Sequence, residues 1–466
     1  MPTNQEWRNP QSNRSCSMAR RSDPYNEMTH NDTTDTMSGC RFLLLVSVVS
    51  SWFLAFGLVE FTIAGENWPQ FRGPSGQGFV SSDVQLPVEW SESKNVVWKR
   101  EITGLGHSSP VVWDGQIWVT TAAVDGSVLG AVGLDAATGD VLHEVFLFRP
   151  TKVDGIHHDN SYASPTPVIE AGRLYCHYGR YGTACVDTRT GDTLWTNDEL
   201  VVDHQGGPGS SPVPYEDLII INCDGAEAQY TAALEKESGR IRWKRLRSAP
   251  YRDDPTTHRA FSTSLVIETE AGPQVISPAA DQLHAYDPRT GDELWHVRYT
   301  GFSTVPAPAY ANGLVVFCTG YFEPQVWGVR TDGRGDVTES HVAWKFRGAT
   351  PDTPSPTVLD GKVYLVSDSG VGTVLDLATG DSVTKFRLGG NFSASPLVAG
   401  NRLYFCDEEG RTKIVEASTK PRVIATNRLD GSLKASPAAS GHAIILRTDT
   451  AVYRIEDGTA AAIVDP

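Results

Sequence analysis

The sequence predicts an all-β protein: an eight-bladed β-propeller of four-stranded antiparallel blades, its ring closed by an N-terminal strand (about 95–102) that completes the C-terminal blade. Three observations predict it. A turn of the form Asp-x-x-Thr-Gly-Asp recurs along the chain, and a Ser-Pro-like segment recurs every 40–55 residues. One tryptophan-bearing strand also stands near the N-terminus without the rest of its unit. The composition agrees: 43 glycines and 28 prolines in 466 residues supply many turns, and 40% hydrophobic residues suffice for a core.

In chain order, residues 1–36 are polar and poor in aliphatics, and predict a disordered extension or a translation start that belongs at Met37. Phe42–Val59 is an 18-residue run without a charge, preceded by Arg41 and followed by Thr62-Ile63-Ala64. This pattern fits a secretory signal with a small-residue cleavage site, and equally a retained anchor, since about 20 apolar residues cross a bilayer. Residues 37–64 are therefore a signal peptide or membrane anchor. The rest is expected in the periplasm or cell envelope, in contact with a membrane only if residues 42–59 are retained. Residues 65–94 form a lead segment, expected to pack across the propeller edge with Trp68 and Phe71 buried, and 95–460 form the propeller.

Each repeat opens on a short apolar strand: SSPVV at 108, ASPTPV at 163, SSPVP at 210, STSLV at 262, TVPAP at 304, PSPTV at 354, ASPLV at 394 and ASPAA at 435. A second strand follows a glycine turn. The third ends in DAATGD (135), DTRTGD (187), EKESGR (235), DPRTGD (287) or DLATGD (376), with degenerate versions near Asp332, Ala417 and Asp457. In this turn the leading carboxylate can accept amide hydrogens two residues on, and glycine supplies the positive φ that reverses the chain. The fourth strand often carries tryptophan: Trp195, Trp243, Trp295 and Trp344, expected to plug the space between sheets. No such strand follows AVYRIED (451–457), but NVVWKREI (95–102) matches HVAWKFRG (341–348) and RIRWKRLR (240–247). Trp98 is thus assigned to the eighth blade, and closure removes a free sheet edge.

Seven cysteines are present, five of them beyond the apolar run. Cys176, Cys223, Cys318 and Cys406 occupy one repeat position and read as small apolar plugs. Cys176 and Cys185 flank a short turn and are placed for a cross-strand disulfide. The net charge of −16, with no cluster of Lys and Arg in the repeats, excludes nucleic acid as a partner.

Loops leading into the first strands are long, varied and polar, whereas the Thr-Gly turns on the opposite rim are short and uniform. The entry rim is therefore the expected binding face. Its candidate residues are His107, His158, Asp159, Asn160, His204, His258, Arg259, Asn391 and Lys434, with His157 beside them. Imidazoles and carboxylates in such a ring could move protons or hold a ligand. They could equally satisfy backbone groups in a water-filled channel. No metal site is predicted: His157 and His158 point apart in extended chain, and neither His-x-x-x-His nor Cys-x-x-Cys occurs. Ser108 beside His107 coincides with a repeat start rather than a nucleophile motif.

The repeats resemble the pyrroloquinoline-quinone-type propeller repeat. That repeat is found in quinoprotein alcohol dehydrogenases and in the propeller lipoprotein of the outer-membrane barrel-assembly machinery. NWPQFRGPSGQG (67–78) resembles the opening of exported propellers of planctomycete-like bacteria. The resemblance implies the fold, but two departures weaken a quinone enzyme. The chain has no adjacent cysteine pair, and it lacks long insertions to shape a deep cofactor pocket. Cys40 precedes the apolar run, so no lipobox cysteine follows it. The expectation is an exported, monomeric, non-catalytic propeller, without cofactor, that binds a protein or polysaccharide of the cell envelope at the channel mouth. The alternative is a dehydrogenase using pyrroloquinoline quinone and calcium, or a carbohydrate-active enzyme using the same His and Asp residues. Sequencing the N-terminus of the exported protein distinguishes the two readings of residues 37–64: a signal peptide gives a chain starting just after Ala64, an anchor gives a chain that retains Phe42–Val59.

Overall fold

A blade inside a ring has neighbours on both faces, so its middle strands must be apolar on both sides, not alternating. Leu218–Asp224 (LIIINCD) is buried at every position, while the outermost strand of a later blade, Ser382–Arg387, is half-buried or exposed throughout. A computed structural model describes residues 67–458. The expectations for residues 1–66, including the apolar run, lie outside the described residues. Among the described residues the strands form eight antiparallel four-stranded sheets, one of them extended by a fifth strand.

Six blades use consecutive strands, and in blade five one short strand that joins the sheet of blade four interrupts the run. The eighth is shared: Val96–Glu101 pairs antiparallel with Ala451–Ile455, next to Ala443–Arg447 and Ala438–Ser440. The predicted closure is observed, with Trp98 3% exposed.

The Thr-Gly turn works as expected from its chemistry. Asp135 Oδ1 accepts from the amides of Ala137 and Thr138 at 2.9 and 2.8 Å, and the same pair of bonds recurs at Asp187, Asp287 and Asp376. The glycine has a second duty. The Trp98 indole of blade eight donates Nε1–H to Ala136 O of blade one at 3.1 Å, and its ring lies where a Cβ on Gly139 would be, 2.6 Å away. Trp195, Trp243 and Trp344 make the same latch onto Lys236 O, Pro288 O and Leu377 O, over Gly239, Gly291 and Gly380. Each indole thus ties one blade to the turn of the next.

Trp295 departs from this pattern. It is fully buried, but donates to Gln274 Oε1 of its own blade. The turn it would grip is replaced in blade five by TDGRGDVTES (331–340). Residues Gly335–Asp336 of that insertion add to blade four as its fifth strand, parallel to Trp295 and His296. Main-chain bonds there take over the seam.

At the hub, the Ser-Pro starts form a chain of amide–hydroxyl bonds from blade to blade. The Ser109 amide donates to Thr166 Oγ1, Thr166 to Ser211, Ser211 to Thr263, Ala307 to Ser355, Ser355 to Ser395 and Ser395 to Ser436, all at 2.9–3.0 Å. Blade five has Ala307 at this position and offers no hydroxyl to blade four. Between blades eight and one, Arg447 Nη1 donates instead to Ser108 Oγ (2.6 Å) and Ser108 O (3.1 Å).

The lead segment lies across the hub and not along the edge, which corrects the expectation. Its backbone pairs with the free inner edges of first strands: Trp68 with Val112 of blade one, Pro69 O with the Ile169 amide of blade two, and Gly78 and Val80 with Val398 of blade seven. Gln77 Oε1 accepts from the Tyr310 amide of blade five, and the Arg72 Nη2 donates to Pro356 O and Thr357 Oγ1 of blade six. Trp68 is buried as expected, whereas Phe71 is only half-buried. Arg72 is the buried member, and burial lowers its guanidinium to about 9. Unpaired strand edges attract further chain, and here the chain's own lead fills them and stops the channel.

The five described cysteines are buried thiols. The Cys176–Cys185 disulfide does not form. The register pairs Tyr175 with Cys185 and Cys176 with Ala184, so the two sulfurs face opposite sides of the blade, in different core clusters.

The latch predicts an asymmetry between glycines. Gly239 has φ +70° and a Cβ there would meet Trp195 at 2.4 Å, while Gly172 has φ +79° and nothing within 4 Å. Gly172→Ala should cost about 1 kcal/mol, the penalty of a left-handed alanine, and Gly239→Ala about 2–4 kcal/mol because overpacking adds to it. Urea denaturation of the two variants checks this.

Candidate functional site

With the lead segment stopping the hub, the entry rim is the face where a ligand can reach the centre. The loops there place the nine predicted residues in three groups. His107, His158, Asn160 and Lys434 line one cleft of about 200 Å³, together with Arg447 and Asp449. Asp159 sits at its edge, 3.4 Å from Lys434 Nζ, which also approaches Glu408 at 3.9 Å. Blades one, two and eight build this cleft.

Its electrostatics follow from burial. Arg447 is 3% exposed and spends its hydrogen bonds on Ser108, not on a carboxylate; desolvation lowers it to about 9. Desolvation, with the charges of Lys434 and Arg447, lowers His107 to about 4, so it stays neutral at physiological pH. The cleft therefore offers two cations, a neutral imidazole and an amide, balanced by Asp159, Glu408 and Asp449.

His258 and Arg259 stand in a second group, over the joint between blades four and five. His258 Nε2 bonds Arg252 O at 2.6 Å, and Arg259 donates to Ser303 Oγ, Gln205 Oε1 and Thr256 O. Both Arg252 and Arg259 lie over the Phe302 ring, at 5.3 and 5.4 Å. Phe302 in turn meets Tyr321 edge-on at 5.7 Å. Tyr321 is 60% exposed and its neighbour Phe322 63%. Sequence reasoning missed these two aromatics because they sit in the loop after a second strand, not in an entry segment. The signal was available in GYFEP, a pair of large aromatics between Gly and Pro.

The remaining two candidates lie outside both groups. His204 is buried against Phe261 and Gly179, off the cleft. Asn391 is exposed and held by Glu409, through its amide and its side chain. His157 and His158 do not point apart as expected: their rings are 4.2 Å apart, both beside Asp159.

A family model described as outer membrane protein assembly factor BamB matches residues 120–245 and 227–463, more than half of the chain. A relative of that name from Legionella pneumophila (strain Paris) is 24% identical over 226 residues, 45% of this chain and 52% of its own length. The chain thus spans about half the length of that curated relative. Among solved structures, BamB from Moraxella catarrhalis superposes with a TM-score of 0.55 at 14% identity, covering 77% of this chain and 99% of that one. A quinohemoprotein alcohol dehydrogenase from Comamonas testosteroni gives 0.59 at 13% identity, covering 86% and 82%. A europium-containing methanol dehydrogenase gives 0.58 at 11%, covering 83% and 89%. At these identities the structural likeness shows the fold alone.

Burial also sets an acid limit. Desolvation lowers His177 to about 3 and His204 to about 4. Both recover an ordinary imidazole value on unfolding, so the unfolded chain binds more protons between about pH 6.5 and 4. Stability should be full above that window and fall as the pH drops through it, by a few kcal/mol in total. Urea midpoints at pH 7.5 and 4.5 measure the fall, and a His177→Gln/His204→Gln double variant should reduce it without abolishing it, since His107 and His284 are lowered over the same window.

Proposed function

The chain belongs to the family described as outer membrane protein assembly factor BamB, and from that premise we propose that it is an exported, non-catalytic propeller that docks a protein of the cell envelope on its entry rim. The observation that carries this reading is the aromatic and arginine patch of Phe302, Tyr321, Phe322, Arg252 and Arg259. Tyr and Arg are the side chains that anchor protein interfaces, because each combines a large contact area with a directed polar group. Phe322 is held at φ +93°, an uncommon conformation for a bulky residue, in a loop that keeps its ring in solvent. Packing of the propeller itself does not call for such a ring.

The cleft residues do not suit the cofactor of the quinone reading. Its volume of about 200 Å³ lies below the ~300–1,000 Å³ usual for small-molecule pockets. A calcium ion takes 6–8 oxygen ligands, whereas the lining sets Lys434 and Arg447 beside the one carboxylate Asp449. The buried cysteines are dispersed over separate strands. We read the cleft as a second, polar contact for the same partner, with Lys434 and Asp159 at its lip.

A photo-crosslinking side chain placed at Tyr321 in the native host should give one discrete protein adduct. Phe322→Ser with Arg259→Ala should reduce it at least tenfold, while the melting temperature stays unchanged. Absence of an adduct, or an adduct with glycan alone, would overturn the proposal.

A further inference from the structure

On the outer part of blade four, the strands Gln282–Tyr286 and Glu293–Arg298 pair in a register that puts His284 directly opposite His296. Glu293 reaches between them. Its Oε2 is 3.1 Å from His284 Nδ1, and its Oε1 is 2.6 Å from His296 Nδ1. The three ligand atoms lie within 4.8 Å of one another. His284 is fully buried, while His296 and Glu293 keep 15% and 23% of their side chains exposed, so the group opens to solvent on one side.

Hydrogen-bond accounting shows what the group lacks. Gln282 is oriented by the backbone: its Nε2 donates to Ala249 O at 3.0 Å and its Oε1 accepts from the Ala249 amide. That same Oε1 faces His284 Nε2 at 2.8 Å, so Nε2 must carry the proton. In a neutral imidazole Nδ1 is then a bare lone pair, and it points at a carboxylate oxygen. His296 also sets Nδ1 on Glu293, while its Nε2 stands 3.8 Å from Asp336 Oδ2, an oxygen that Arg298 Nη2 holds at 2.9 Å. Two imidazoles therefore face one carboxylate through Nδ1, and His284 has a hydrogen-bond acceptor on its outer nitrogen.

We propose that His284, Glu293 and His296 bind a divalent transition ion of the zinc class, through two Nδ1 atoms and a carboxylate oxygen, with water completing the coordination. Imidazole and carboxylate are zinc ligands at bond lengths of about 2.0–2.2 Å, within reach after a small rotation of Glu293. An acceptor on the outer ring nitrogen is what orients a metal-bound histidine, and Gln282 fills that place for His284. Asp336 belongs to the inserted strand Gly335–Asp336 of blade five. All three ligands belong to blade four, and the ion would sit beside this inserted strand, at a joint that has no tryptophan latch.

The test uses the untagged chain freed of metal by chelation. Titration with Zn²⁺ should show one equivalent bound and a rise in melting temperature. Co²⁺ in its place should give the visible absorption of a four-coordinate nitrogen–oxygen site. His296→Gln, at a partly exposed position, should keep the metal-free melting temperature and lose binding at least tenfold; Glu293→Gln is the second variant. A His157→Ala/His158→Ala variant, which removes the exposed cluster with Asp159, should bind as wild type. The proposal is overturned if no stoichiometric binding occurs, if binding survives both His296→Gln and Glu293→Gln, or if it disappears with His157 and His158.

Discussion

Every blade of this protein has two apolar faces and cannot cover either from within its own sheet. That requirement accounts for the rest of the structure. Side-by-side stacking covers the faces, but an open stack leaves two bare ends, and only a ring has none. The strand around Trp98 matters for this reason. It joins the N-terminal and C-terminal parts of the repeat in one sheet, so the last face to be buried is also the one that closes the circle. The seams are then fixed at two radii. Indole-on-glycine latches hold four of the seams on the outside, and hydroxyl–amide bonds hold six at the hub.

Filling the hub decides where function can lie. A ring of first strands exposes unpaired backbone to its channel, and the WPQFRGP segment pairs with it as an added strand would. What might have been a through-channel becomes a shallow rim. The rim divides into a polar cleft over blades one, two and eight, and an aromatic patch over the joint of four and five. Membership of the BamB family and the composition of that patch both support the proposal of protein docking.

Repetition made the fold legible in the sequence. A motif copied at one spacing reports its own geometry, so the turns, the blade count and the shared eighth blade could all be read before any coordinates. Local chemistry was legible too, as with the carboxylate of Asp135. What could not be read were relations set by register and by long-range docking. Cys176 and Cys185 look bridgeable until pairing offsets them by one residue onto opposite faces. His284, Glu293 and His296 have no recognisable spacing, and come together only because two strands align in one register. The candidate rim residues were collected by their place before each first strand. That criterion captured the cleft members and also His204, which faces inward. It passed over Tyr321 and Phe322 on the neighbouring type of loop.

The substitution of alanine at position 307 gains weight in this light. At the same joint the tryptophan latch is replaced by an inserted strand, so blades four and five lack at both radii the contacts that fasten blades two and three. That seam rests on the main-chain bonds of the short strand Gly335–Asp336, near the exposed rings of Tyr321 and Phe322. Load arriving at the rim there would pass into backbone pairing instead of an indole.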